Sequence, residues 1–318
     1  MLVYLAILFF TSILNGQQVS QVINYAAPIV SLCLITDYGI RNHTKEYLTA
    51  LAIILNLLII INFATIILYP SGMYINSTGY KQNWILGYKN SHILYLLPCV
   101  VVNFILSFKN KEKLNVKSYI IFAICFISIL SVNSSTGIVG IMIILLYLIF
   151  RKYFDRIKLI NGYSSLFIYL LSFGSIMILK VQNLFKFLIV DILKKDLTFT
   201  GRTYIWDSVL KCIKIHPLIG YGNVTYQYNK YIFTTHNVIL DVLYRSGIVG
   251  FLTYILILFE ACGKLYKNRK DEVSRFLSII LLVYFVMMLT EAYNINYYFF
   301  ILVICSNIKY LKGSVSDE

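Results

Sequence analysis

Residues 47–69 read YLTALAIILNLLIIINFATIILY, an apolar run without a charged side chain. An α-helix rises about 1.5 Å per residue, so about 20 apolar residues cross the roughly 30 Å hydrocarbon core of a bilayer. This stretch therefore predicts a transmembrane helix. Only 13% of the 318 residues are charged and 59% are hydrophobic, and the mean hydropathy is +0.75. Because soluble domains carry about a quarter charged residues, the composition indicates a polytopic membrane protein.

Further apolar runs lie on both sides of this stretch. The fold class predicted from them is an all-α polytopic membrane protein with about ten transmembrane helices. Polar connectors are expected at DYGIRNHTKE (37–46) and at 70–91. The chain divides into N-terminal spans at 1–179, a large loop at 180–236 and C-terminal spans at 237–318. The predicted spans are 1–14, 18–36, 47–69, 92–108, 117–133, 136–150, 160–179, 237–260, 276–292 and 294–309.

The basic residues predict the orientation. Most of the 28 Lys and Arg residues fall in alternate short connectors, and such clustering marks the cytoplasmic face. Both termini are therefore expected inside, with the large loop outside. The formal charge of +14 is scattered between spans, so it indicates contact with the lipid bilayer and its anionic lipids rather than with nucleic acid.

The large loop is expected to contain two amphipathic helices. In residues 180–200 the apolar side chains recur near helical spacing. The segment from Arg202 to Ile215 has a clearer apolar stripe, and Thr200 is its expected N-cap. His216-Pro217 should end the second helix, since proline disfavours helical backbone in the residue before it. Gly220 and Gly222 then permit a sharp turn. The apolar stripe consists of Ile205, Trp206, Val209, Cys212 and Ile213.

Two residues carry candidate chemistry. Arg202 lies near a helix N-terminus, where free N–H groups and a guanidinium can hold a phosphate. The alternative is an interfacial arginine that reaches lipid headgroups. His236 precedes the apolar run VILDVLY on the outward side, and imidazole suits proton transfer near neutral pH. The alternative for His236 is a helix-capping histidine.

Other polar residues near the loop are open to two interpretations. Asp241 and Arg245 are four residues apart, so they lie on one helix face. They form either a structural ion pair or part of the lining of a cavity. Arg245 is also a candidate for a second phosphate contact. Tyrosines of the loop, Tyr221 among them, fit interface anchoring or stacking on sugar rings. No metal-binding, dinucleotide-binding or P-loop pattern occurs in the sequence, so neither a metal nor a cofactor is expected.

The ordered motifs GRTYIW, KIHPLIGYGN and THNVILDVLYRSGIVG, spread over about 200–250, resemble the O-antigen polymerase and O-antigen ligase family of bacterial envelope glycosyltransferases. GYKNSH at 87–92 is also similar to a segment of this family. The turn SVNSSTGIVG at 131–140 departs from it, because many members carry an arginine there.

The resemblance implies metal-independent polymerisation of oligosaccharide repeat units linked to undecaprenyl pyrophosphate. It implies His236 as the base, Arg202 as the stabiliser of the pyrophosphate leaving group, and Arg245, Tyr221, Asn237 and Lys211 as substrate contacts. The expected setting is the bacterial inner membrane with an extracytoplasmic site. The expected partners are lipid-linked glycan donor and acceptor, with a chain-length regulator and a flippase of the same pathway.

Three alternatives remain. A ligase would transfer the glycan to a lipid A core, and no local motif separates it from a polymerase. A polysaccharide flippase or other transporter should show internal repeats and charged residues at mid-span, and neither is visible. A structural scaffold would leave Arg202 and His236 without a role.

Overall fold

A computed structural model of the protein describes residues 1–76, 79–109, 116–157, 160–177, 202–224, 226–228, 231–293 and 295–312. Helices dominate these ranges. The predicted amphipathic helix at 180–200 lies outside them, and so does Thr200, the expected N-cap of the following helix. The helices are α1 Leu2–Leu14, α2 Val19–Asn42, α3 Thr44–Leu68, α4 Ile93–Lys109, α5 Val116–Val132, α6 Ser135–Ile157, α7 Gly162–Met177, α8 Arg202–Ile215, α9 Val238–Lys267, α10 Glu272–Met288, α11 Ile295–Ser306 and α12 Ile308–Leu311.

Five of the described helical stretches are long and apolar enough to cross a membrane. Shorter apolar helices occur at Leu2–Leu14, Val116–Val132, Gly162–Met177 and Tyr297–Ser306. The all-α membrane class is thereby confirmed, whereas the count of ten spans, the orientation and the three-part division of the chain stay predictions. The five stretches are Val19–Asn42, Thr44–Leu68, Lys89–Phe108, Ser135–Phe154 and Val238–Lys267.

Two short antiparallel hairpins accompany the helices. Strands β1 (Asn83–Trp84) and β2 (Gly87–Tyr88) pair within the polar segment that follows α3, and a 3₁₀ turn at Lys89–Ser91 leads into α4. Strands β3 (Tyr226–Tyr228) and β4 (Tyr231–Phe233) pair in the tyrosine-rich part of the large loop. Neither hairpin was expected from the sequence.

The connector predicted at 37–46 is helical apart from a break at His43, since α2 continues to Asn42 and α3 begins at Thr44. Asp37 and Arg41 are four residues apart and form an ion pair of 2.9 Å within α2. Asn307 also donates a hydrogen bond to the Asp37 carboxylate at 2.8 Å. Polar side chains that pair at this spacing support a helix rather than ending it.

The chain forms two compact units. The first comprises Met1–Cys33, Leu166–Glu260 and Met288–Phe299, and it contains every residue singled out as a candidate for chemistry. The second comprises Leu34–Ser165, Ala261–Met287 and Phe300–Glu318.

The second unit packs α3 against α4 and α5. Buried asparagines of this unit form hydrogen bonds: the Asn103 amide donates to Asn56 Oδ1 at 2.8 Å, and the Leu86 amide donates to Asn62 Oδ1 at 3.1 Å. Hydrogen bonds of this kind join helices where water is scarce. A shallow apolar cavity between α2 and α3, lined in part by Tyr38 and Glu46, includes none of the candidate residues.

The first unit has an apolar core that joins α8 to α9. Trp206, Val209, Leu240 and Tyr244 are buried together, and Ile205, Cys212 and Ile213 pack against them. The stripe predicted on α8 is therefore its buried face. Apolar burial of this kind is the main source of stability for an amphipathic helix outside the bilayer core.

Candidate active site

The helix that presents Arg202 has the bounds expected from its sequence. Helix α8 runs from Arg202 to Ile215, and Pro217 follows its end. Arg202 is the first helical residue, and the backbone N–H groups of this first turn have no partner within the helix. The positive end of the helix dipole and the arginine thus act at the same place.

A backbone interlock fixes the segment after α8 against α9. Helix α9 is broken at Gly247, which has φ 58° and ψ −164°. The break frees the N–H of Ile248, which donates to Pro217 O at 2.9 Å, and the Tyr244 carbonyl, which accepts from the Tyr221 N–H at 2.9 Å. The Gly222 N–H donates to Arg245 O at 2.7 Å. The motifs HPLIGYG and RSG are thus two halves of one contact.

We expect Gly247→Ala to destabilise the folded protein strongly. This backbone conformation is essentially restricted to glycine and costs other residues about 1–3 kcal/mol, and a Cβ at Gly247 would overlap the Leu218 carbonyl. The measurement is the thermal unfolding midpoint in detergent. Gly174→Ala is the matched control, since a Cβ at Gly174 meets nothing within 4 Å. Equal midpoints for the two variants would contradict the interlock.

Arg202 and His236 meet at one carboxylate. Arg202 Nη2 donates to Glu291 Oε1 at 2.7 Å. On the other oxygen, Glu291 Oε2 lies 3.5 Å from His236 Nδ1. The exposed fractions of the side chains are 19% for Arg202, 9% for Glu291 and 30% for His236. The carboxylate is therefore the least accessible member, and the imidazole is the most accessible.

The backbone around His236 is held from both sides. His236 has a left-handed φ of 49°, a conformation that histidine adopts more readily than most residues do. Before it, Trp206 Nε1 donates to Thr235 O at 3.0 Å. After it, Asn237 accepts from the Leu240 N–H at 3.1 Å and donates to Leu289 O at 3.0 Å.

These contacts explain the four-residue spacing between Arg202 and Trp206 in the sequence. Arg202 and Trp206 are one helical turn apart, so the first reaches Glu291 while the second reaches the residue before His236. Asn237 caps α9 and ties it to the segment that carries Glu291. It is fully buried, so the structure gives it a positioning role. Its predicted contact with substrate stays a prediction.

Arg245 lies in a second polar cluster of the same unit. Its Nε is 2.8 Å from Asp241 Oδ2, and its Nη1 donates to Asn223 Oδ1 at 2.6 Å. Of the two interpretations that the four-residue spacing allowed, the structure shows the ion pair. Asp241 Oδ1 also accepts from Thr235 Oγ1 at 3.5 Å, which links this cluster to the residue before His236.

Tyr221 and Lys211 are placed differently. Tyr221 stacks on Tyr244 with ring centroids 4.7 Å apart, and its hydroxyl donates to Cys212 O at 3.0 Å. Burial, followed by the nearby Cys212 thiol, raises the pKa of Tyr221, which keeps the hydroxyl protonated as a donor. Lys211 is exposed and lies nine residues after Arg202, on the opposite side of α8. The structure does not bring it to the Arg202–Glu291–His236 cluster.

A neutral phenol borders the cluster on the segment of Glu291. Burial, followed by the Glu291 carboxylate, raises the pKa of Tyr293, and Arg202 acts in the opposite direction. Tyr293 therefore adds no negative charge beside Arg202 at neutral pH. The cluster combines one guanidinium, one carboxylate and one imidazole.

Glu291 is the functional candidate that sequence reasoning missed. The sequence places it only at the outer edge of an apolar run, and its contact with Arg202 spans 89 residues. The sequence did contain one indication of its importance. The chain has only 14 acidic residues, and ionisable residues near membrane spans are functional candidates. Among the described residues, no group of three or more His, Cys, Asp or Glu side chains could hold a metal ion.

The fold and this site define a helical membrane protein with an arginine, a carboxylate and a histidine brought together beside an amphipathic helix. Residues 120–255 match a family model described as O-antigen ligase. This region holds Arg202, His236 and Arg245 and excludes Glu291. The resemblance to the O-antigen polymerase and O-antigen ligase family is thereby confirmed.

Two curated relatives match parts of the chain. One is the exopolysaccharide production protein ExoQ of Rhizobium meliloti (strain 1021), 27% identical over 90 residues, which cover 23% of this chain and 21% of the relative. The other is the O-antigen ligase of Pseudomonas aeruginosa (strain PAO1), 33% identical over 75 residues, which cover 22% of this chain and 19% of the relative. The matches thus span about a fifth of each relative. No solved structure matches.

Proposed function

We propose that the protein transfers glycans from undecaprenyl pyrophosphate on the outer face of the bacterial inner membrane, as a polymerase of oligosaccharide repeat units. The observation that supports this best is the cluster in which Arg202 and His236 share Glu291. One carboxylate thus holds a group that can bind an anion and a group that can accept a proton, a combination that suits transfer from a pyrophosphate. The family resemblance supports the same reaction class.

The proposed reaction needs no covalent intermediate. His236 accepts the proton of an acceptor hydroxyl, and the hydroxyl oxygen forms a bond to the anomeric carbon of the donor glycan. The bond from that carbon to the pyrophosphate oxygen breaks, and the electron pair leaves with the pyrophosphate. Arg202 and the N-terminus of α8 stabilise the charge that develops there. Holding donor and acceptor in this alignment supplies a further part of the acceleration.

The other residues predicted to contact substrate have different roles in this proposal. Arg245 supplies a second positive group, although Asp241 already balances its charge. Tyr221 and Asn237 shape the site through the interlock and the α9 cap. Lys211, exposed on the far side of α8, is proposed to contact lipid or glycan away from the reacting atoms. A chain-length regulator and a flippase are the proposed protein partners.

The second candidate is ligation of a finished glycan to a lipid A core. It is favoured by the names that two matches carry, since both the family model and the relative from Pseudomonas aeruginosa are described as O-antigen ligase. The chemistry at the donor is the same in both reactions. The acceptor hydroxyl is the difference.

The test is transfer by purified protein in detergent, with an undecaprenyl-pyrophosphate repeat unit and EDTA, followed on a gel. We expect a ladder of lipid-linked oligomers without added metal, because the proposed charge stabilisation comes from Arg202 and α8. Product that forms only after lipid A core is added would indicate ligase. Activity lost in EDTA and restored by a divalent ion would contradict the metal-free mechanism. An absence of transfer to either acceptor would contradict glycan transfer itself.

A further inference from the structure

Glu291 lies next to the imidazole of His236. Its position influences which imidazole nitrogen can accept a proton. In a neutral imidazole one nitrogen carries hydrogen and the other accepts it, and the partner of one nitrogen selects the state of the other. His236 Nδ1 is buried and makes no hydrogen bond to the described residues. The group that faces it is Glu291 Oε2, at 3.5 Å.

We infer that Glu291 is a positioning residue that holds His236 with hydrogen on Nδ1 and leaves Nε2 free to accept the proton of the acceptor hydroxyl. This inference rests on the proposed function. An ionised carboxylate only accepts hydrogen bonds, so it favours the tautomer with Nδ1–H. The distance of 3.5 Å is longer than a formed hydrogen bond, and such contacts in enzymes without substrate tighten when substrate binds.

Two observations argue that Glu291 is not itself the base. Its side chain is 9% exposed, against 30% for His236, so the imidazole is the group that an acceptor reaches first. Its Oε1 is already bound by Arg202 at 2.7 Å. The same bond ties the anion-binding residue to the base, so one carboxylate sets the position of both. A carboxylate that orients a histidine in this way is a recurrent arrangement in general-base catalysis.

The geometry makes Glu291→Gln a specific test. Arg202 has only donors, so the amide oxygen of the glutamine turns toward it and keeps that hydrogen bond. The NH₂ group then faces His236 Nδ1 and can only donate. Nδ1 must accept, which places hydrogen on Nε2 and removes the base. Shape and the Arg202 contact are retained while the proton is on the wrong nitrogen.

The first readout is the tautomer, which needs no substrate. The protein has four histidines, so nitrogen NMR of protein labelled with ¹⁵N-histidine can be assigned by loss of the His236 signals in His236→Asn. We expect Nδ1–H in the neutral wild-type imidazole and Nε2–H in Glu291→Gln. A wild-type signal with hydrogen on Nε2 would overturn the inference even if every Glu291 variant failed to fold.

The second readout is the separation of kcat from KM in the transfer assay. Glu291→Gln should lower kcat by about 10²–10⁴-fold, the range for loss of a correctly protonated base, with KM for the lipid-linked donor nearly unchanged. Glu291→Asp keeps an acceptor but is one methylene shorter, so it should retain more activity than Glu291→Gln. In a double variant with His236→Asn, Glu291→Gln should add almost nothing. Additive losses would indicate a structural role instead.

The outcomes separate this inference from the proposed function. If the wild-type protein transfers glycan to neither acceptor, the proposed function fails. If His236→Asn transfers glycan at the wild-type rate, the base role of His236 fails, and the inference about Glu291 fails with it. If His236→Asn is inactive but Glu291→Gln keeps the wild-type kcat, only the role of Glu291 fails.

Discussion

Replacing His236 with asparagine should lower kcat by about 10²–10⁴-fold, the usual contribution of a positioned proton acceptor. Asparagine is the informative replacement because the backbone at His236 is left-handed, with φ 49°, and asparagine tolerates that conformation better than alanine or glutamine. The variant therefore removes the base while preserving the turn that joins Thr235 to Asn237. Donor binding should be nearly unchanged, because His236 contacts the acceptor hydroxyl in the proposed mechanism.

The assay is initial rate against donor concentration in detergent, with the unfolding midpoint measured beside it. A parallel His236→Gln variant tests whether a longer amide side chain restores transfer. We expect no restored transfer, because an amide accepts a hydrogen bond but does not take up the proton at neutral pH. Wild-type rates from either variant would remove His236 from catalysis and leave it as a residue of the α9 turn.

Local sequence carried much of the information about this site. The apolar stripe and the His-Pro stop predicted α8 with the bounds that the structure shows. The four-residue spacing placed Asp241 and Arg245 on one helix face, and their ion pair was one of the two interpretations it allowed. Both features depend on periodicity within one helix, which a single sequence displays directly.

Features that depend on distant segments were not predictable in the same way. Glu291 and Arg202 are 89 residues apart in the sequence. The periodicity of apolar residues within a single helix does not predict a contact at this separation. Gly247 reads as an ordinary glycine inside an apolar run, yet it breaks α9 because the segment from Pro217 to Gly222 bonds to the freed backbone groups. The need for glycine arises from tertiary packing, so it becomes visible only once the two segments are placed together.

The helical conformation of the polar connector at 37–46 was not predicted either. Its polarity indicated a connector between two spans, and within this segment Asp37 and Arg41 pair inside α2 while Asn307 bonds to the same carboxylate. Polar composition predicts the end of a membrane span better than it predicts the end of a helix.

Replacing Arg202 with alanine should abolish nearly all transfer. Loss of one group that stabilises a developing anion costs about 10²–10³-fold, and here the loss also leaves the Glu291 carboxylate without its 2.7 Å partner. Arg202→Lys keeps the charge but loses the planar fork that can contact both Glu291 and a phosphate, so it should retain only a small part of the activity. Lys214→Ala is the matched control, since it removes a cation from the exposed end of the same helix and should leave kcat within a factor of about two, as surface substitutions usually do little.

Stability must be separated from chemistry in this experiment. Removing one partner of a fully buried ion pair destabilises by about 3–5 kcal/mol, and the effect should be smaller here because the Arg202 side chain is 19% exposed. The double variant Arg202→Ala, Glu291→Gln neutralises the stranded carboxylate, so it should recover much of the unfolding midpoint without recovering transfer. If the double variant regains wild-type rates, Arg202 serves only to balance Glu291, and Glu291 does not position His236. If Arg202→Ala alone is fully active, the arginine contacts lipid headgroups and the pyrophosphate is stabilised by other groups.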